Sequence, residues 1–67
     1  MLLGTVKKWD NIKKFGFILG DDDAEYFVHV RDLDVSFPGN RLREGQRVKF
    51  DVRNDLKGDK AVNVRLA

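Results

Sequence analysis

Apolar and polar residues alternate along most of this chain, with the two-residue period of strands rather than the 3.6-residue period of a helix. The first such run is "LLGTVKKW", Leu2 to Trp9. "DNIKK" breaks it and leads into a second run over Phe15 to Gly20, and "DDDA" leads into a third over Glu25 to Val30. Short polar turns between consecutive strands predict a meander. A longer connection follows, Arg31 to Gln46, with room for one 3₁₀ turn around Arg31 to Leu33 before Pro38 and Gly39 stop any helix. Two last runs, Arg47 to Asn54 and Lys60 to Leu66, flank "DLKGD", whose glycine suits a hairpin turn.

Side chains in a strand point alternately to two faces, so parity sorts these runs. Val48, Phe50 and Val52 alternate with Lys49, Asp51 and Arg53, and Val62, Val64 and Leu66 alternate with Asn63 and Arg65. Those two apolar rows are core. The second and third runs are apolar on both sides: Phe15, Phe17 and Leu19 oppose Gly16 and Ile18, while Phe27 and His29 oppose Tyr26, Val28 and Val30. Parity alone leaves both assignments open. If Val6, Ile18 and Val28 join the later rows, a mainly β-branched core closes into a barrel and removes the exposed edges of a small sheet. The expected fold is all-β, a small five-stranded antiparallel β-barrel forming a single domain over residues 1–67. Phe15, Phe17, Phe27 and His29 are then left on the outside.

Composition narrows the chemistry. With no cysteine and a single histidine, disulfides and thiolate metal sites are excluded, and neither a zinc site nor another cofactor is expected. No catalytic constellation is recognisable, because the histidine lies among rings and the acidic residues lack a partner base. The run "DDDAE", Asp21 to Glu25, lacks the spacing of an EF-hand loop and reads as a solvated turn. The amino terminus meets lysines after a few apolar residues, so neither a signal peptide nor a membrane span is expected and a cytoplasmic, monomeric protein is the default. The net charge of +2 is mild, but its distribution is uneven: Lys7, Lys8, Lys13 and Lys14 gather around the first aromatic cluster. Arg41, Arg43, Arg47, Arg53 and Arg65 read as surface solvation.

Exposed rings on neighbouring strands with lysines at the rim match what single-stranded RNA or DNA requires. Bases stack on rings with roughly 1–3 kcal/mol each, whatever their sequence, and ammonium groups neutralise phosphates. His29 shares the parity of Phe27 and can stack or hydrogen-bond a base. A rival reading is a barrel that docks a protein or the ribosome through the same face, since exposed aromatic patches also mark such interfaces.

These residues resemble the cold-shock protein family of bacteria. "KKFGFI" and "YFVHV" are similar to its paired motifs K-G-F-G-F-I and V-F-V-H-F. "GTVKKW" resembles its opening strand G-x-V-K-W-F, "REGQRVKF" its L-x-E-G-Q-x-V-x-F, and "AVNV" its closing A-x-N-V. The resemblance implies an OB-type barrel that binds single-stranded RNA and DNA and acts as an RNA chaperone or regulator of expression. Lys7 and Lys13 match family positions near the platform, and Phe37 falls near the family's loop aromatic. The chain departs from the pattern where Lys14 replaces a glycine and Val30 a phenylalanine. In an ungapped match Lys8 takes the family's stacking tryptophan position. Trp9, by alternation on the face of Thr5 and Lys7, is expected to stack a base, with a β-bulge turning its indole onto the platform.

Overall fold

The computed structural model describes all residues except Ser36, Pro38, Asn40 and Lys57. Five strands, β1 (Leu2–Asp10), β2 (Phe15–Gly20), β3 (Glu25–His29), β4 (Arg47–Asp55) and β5 (Gly58–Leu66), close into a barrel in the order β1-β2-β3-β5-β4. The neighbours are antiparallel except β3 and β5, which run parallel where Phe27 meets Lys60. The 3₁₀ turn is Val30–Asp32, capped by the His29 ring, whose Nδ1 accepts the Arg31 backbone N–H at 3.2 Å. The helix stop expected at Pro38 lies outside the described residues.

The meander is held by short acidic turns. Asp10 Oδ1 accepts the backbone N–H groups of Ile12 (2.8 Å) and Lys13 (3.0 Å), the Asx geometry that reverses β1 into β2. Asp22 does the same for the next turn, with Oδ1 accepting from Ala24 N–H at 3.1 Å and Oδ2 from the Tyr26 hydroxyl at 2.6 Å. Asp21 receives a bidentate pair of hydrogen bonds from the Arg47 guanidinium, both 2.8 Å, tying this turn to β4. The acidic run is therefore more than a solvated turn: two of its carboxylates fix the chain.

The core contains Val6, Ile18, Tyr26, Val28, Val48, Phe50, Ala61 and Val64, joined by Phe37 and Leu42 from the long connection. Val6, Ile18 and Val28 thus take the inner face, as parity allowed. The row expected on β5 is different. Ala61 and Val64 are buried, Val62 is half-buried and Leu66 is 43 % exposed, as Val52 on β4 is 39 % exposed. The exchange of Ala61 for Val62 on β5 has a local cause: the β4–β5 register slips between Lys49 and Asp51, and Asn63 sits at φ 52° opposite the slip. One extra residue reverses parity from there on.

Candidate nucleic-acid interface

Strands β2 and β3 pair Phe15 with His29 and Phe17 with Phe27, so the side chains of all four stand on one face. Beneath them Ile18 and Val28 are fully buried, which fixes that face as the outer one. The ring centroids of Phe15 and Phe27 lie 5.6 Å apart at 34°, and those of Phe17 and Phe27 lie 5.8 Å apart at 74°. Tilted and edge-to-face contacts at this spacing hold the rings against each other, contributing about 0.5–1.5 kcal/mol per pair. Phe17 and Phe27 nevertheless keep 36 % of their surface open to solvent. The result is a preformed apolar strip with its rings partly uncovered.

The lysines are arranged by an irregularity in β1. Val6 pairs with Ile18 and Lys8 with Phe17, so Lys7 is one residue too many in the ladder. Val6 meanwhile bonds the long connection, receiving Gly45 N–H and donating to Gln46 carbonyl at 2.8 and 2.9 Å. This bulge puts Lys8 on the face of Phe17 and Trp9 opposite Gly16, on the inner side. Trp9 packs against the core and donates its indole N–H to Asn11 Oδ1 at 2.8 Å. The bulge expected in β1 is present, but it acts in the opposite sense: it turns the indole inward and brings Lys8 to the platform.

Phe37 is likewise corrected, for it is only 4 % exposed and belongs to the core instead of the binding face. Phe37 joins Tyr26 and Phe50 as a large ring in the core. Lys7 remains exposed but forms an ion pair with Glu25. Lys8 and Lys13 are exposed and lie within ion-pair distance of no carboxylate among the described residues. The His29 Nδ1 is occupied by the Arg31 N–H, which leaves the proton of a neutral ring on Nε2 as a donor.

Two neighbours of the platform escape sequence reading. Lys60 stands beside Phe27 through the parallel β3–β5 contact and lines hollows with Phe27 and His29, its ammonium 3.2 Å from Asp32 Oδ2. Leu56, fully exposed, faces Phe17 and Phe27 from the β4–β5 turn. Both are brought in by non-local pairing, which alternation along one strand does not encode.

The comparisons agree with this geometry. The family model described as 'Cold-shock' DNA-binding domain matches residues 2–67. The chain is 44 % identical over 64 residues to a cold shock-like protein of Aquifex aeolicus, covering 94 % of this chain and 90 % of that protein. It is 39 % identical over 64 residues to a major cold shock protein of Streptococcus pyogenes serotype M6, covering 96 % and 94 %. A cold shock-like protein of Thermotoga maritima is 35 % identical over 63 residues, covering 94 % of each chain. An aromatic strip on a closed five-stranded barrel and a family match along nearly the whole chain lead to one conclusion: this protein belongs to the nucleic-acid-binding cold-shock domain family.

Proposed function

We propose that the domain binds single-stranded RNA and DNA by stacking unpaired bases on Phe15, Phe17 and Phe27, with Lys8 and Lys13 neutralising phosphates and His29 offering a hydrogen bond from Nε2. The observation that carries this reading is the partial exposure of three rings on one face while residues of opposite parity fill the core. A 67-residue chain in need of apolar burial leaves them uncovered. Duplex bases are already stacked on one another and have no free π face, so the platform selects single strands. Lys7 contributes to phosphate binding after exchanging its Glu25 partner, and this competition tempers the electrostatic part of affinity. In the cell such a monomer acts as an RNA chaperone or a regulator of expression.

Titration with a short pyrimidine-rich single strand, its duplex and heparin tests the proposal. Binding of the single strand in clear preference to both others is expected. Equal affinity for all three would reduce the interaction to charge, and absence of any binding would favour a protein partner for the same face.

A further inference from the structure

We propose that Lys14 is a phosphate contact of the bound single strand, placed at the Phe15–His29 end of the aromatic strip at the cost of a backbone conformation that lysine rarely adopts. This rests on the single-strand reading above and adds to it the corner where the backbone charge is met. Two observations carry it. The first is the conformation. Among the described residues, Lys14 (φ 63°), Asp23 (φ 68°) and Asn63 (φ 52°) are the residues other than glycine with positive φ. Aspartate and asparagine tolerate the left-handed region because their short polar side chains hydrogen-bond locally. Lysine has no such compensation, so this turn carries a cost that glycine would avoid. Nor does the turn use the side chain: its hydrogen bonds run from Lys14 N–H to the Asp10 carbonyl and from Val30 N–H to the Lys14 carbonyl, all of them backbone. What lysine adds here is an exposed ammonium.

The second is the balance of charge along the strip. Lys14 precedes Phe15, which pairs with His29, and its bond to Val30 sets it beside Arg31. Lys13, Lys14 and Arg31 are all exposed, and none lies within ion-pair distance of a carboxylate among the described residues. Two carboxylates share this corner and both are committed. Asp10, opposite Phe15, accepts the N–H groups of Ile12 and Lys13, and Asp32 holds the Lys60 ammonium at 3.2 Å. At the flank of Phe17 the balance differs, because Lys7 and Lys8 share their hollow with Glu25 and Glu44 and the charges cancel. The pull on a phosphate backbone is therefore greatest at the Phe15–His29 end. Both departures from the family motifs meet there: the Val30–Lys14 hydrogen bond joins the position that has lost a ring to the one that has gained a cation. A base stacked on Phe15 brings its phosphate to the neighbouring residue, and the flexible four-carbon stem of lysine can follow it.

The affinity for labelled heptathymidine, followed by fluorescence anisotropy as salt is raised from about 0.1 to about 1 M, tests the inference. Lys14→Gly and Lys14→Asn both suit the left-handed backbone and remove the charge. Each should make the log–log salt slope shallower by about 0.7 and weaken binding about fivefold near 0.1 M salt, while matching the parent near 1 M. Lys14→Arg should keep the parental slope. Lys49→Gln removes the same charge from β4, between Leu3 and Arg65 and away from the strip, and should leave affinity within about twofold of the parent. An unchanged slope in the glycine and asparagine variants, an equal loss in Lys49→Gln, or a loss that persists near 1 M salt overturns the Lys14 contact alone. A folded parent protein that binds no heptathymidine overturns the single-strand reading and the contact with it.

Discussion

The carbonyl oxygen of Lys8 lies 2.0 Å from the point where a β-carbon on residue 16 would stand, with the Lys8 carbonyl carbon and Trp9 Cα each 2.9 Å from it. All three are backbone atoms of β1, so no side chain can swing aside. Gly16 is what allows β1 to approach β2 closely at the bulge that presents Lys8 to Phe17. Gly16→Ala should therefore destabilise the protein by roughly 2–3 kcal/mol, the upper range for overpacking. Urea unfolding checks this, and an unchanged midpoint would mean that the bulge can relax.

Lys14 occupies the left-handed region at φ 63°, in the turn where the family pattern has a glycine. Its N–H donates to Asp10 carbonyl at 2.8 Å and its carbonyl receives Val30 N–H at 3.0 Å, so the turn holds this conformation despite the side chain. Lys14→Gly should stabilise the fold by about 0.5–1 kcal/mol, the relief of strain being partly offset by a freer unfolded chain. Loss of stability in this variant would contradict the strained backbone.

Phe17→Ala and Phe27→Ala should each weaken single-strand binding by about 1–3 kcal/mol and cost less stability than Phe50→Ala, which removes a fully buried ring at about 3–5 kcal/mol. Parallel unfolding and binding curves separate the two effects. If the first pair unfolds the protein while the folded fraction keeps its affinity, the strip is packing surface.

The platform was legible because β2 and β3 are regular: Phe15, Phe17, Phe27 and His29 follow strict alternation, and Ile18 and Val28 occupy the opposite face. Where a ladder slips, alternation misleads. Trp9 lies two residues past Lys7, the extra residue of the β1 bulge, and Ala61 beyond the slip opposite Asn63, so each takes the face that simple parity denies it. Phe37 and Lys60 depend on contacts distant in sequence. A loop residue has no period to read, and the parallel approach of β3 to β5 joins residues 33 positions apart.

Acid stability should follow three carboxylates. The backbone N–H groups of Lys13 and Ile12 hold Asp10 below its ordinary 3.8, the Arg47 guanidinium does so for Asp21, and the Tyr26 hydroxyl, then Ala24 N–H, for Asp22. A folded value below the unfolded one gives stability that is complete above the unfolded value and lost as pH falls through the folded value. Urea midpoints should be flat from neutrality to about pH 4 and then decline. Asp22 also raises the Tyr26 phenol above 10.0, so that contribution is complete below pH 10.0 and lost as pH rises through the folded value. Asp22→Asn should flatten both arms; an unaltered acid arm would remove Asp22 from this account.

Trp9 provides the clearest contrast between packing and stacking. Its ring is half-buried on the inner side of β1 with its N–H satisfied by Asn11, so its emission should lie to the blue of free indole and change little when oligothymidine binds. Trp9→Ala should cost about 2 kcal/mol of stability, less than a fully buried ring, and leave the affinity of the folded protein within about twofold of the parent. Lys8→Ala should do the reverse, weakening binding and lowering its salt dependence by about one phosphate contact with stability unchanged. The two residues are neighbours in sequence and the β1 bulge assigns them opposite faces, so exchanging their expected phenotypes tests the register itself. Strong quenching of Trp9 by oligothymidine, with unaltered stability in Trp9→Ala, would put the indole back on the platform and the extra residue of β1 elsewhere in the strand.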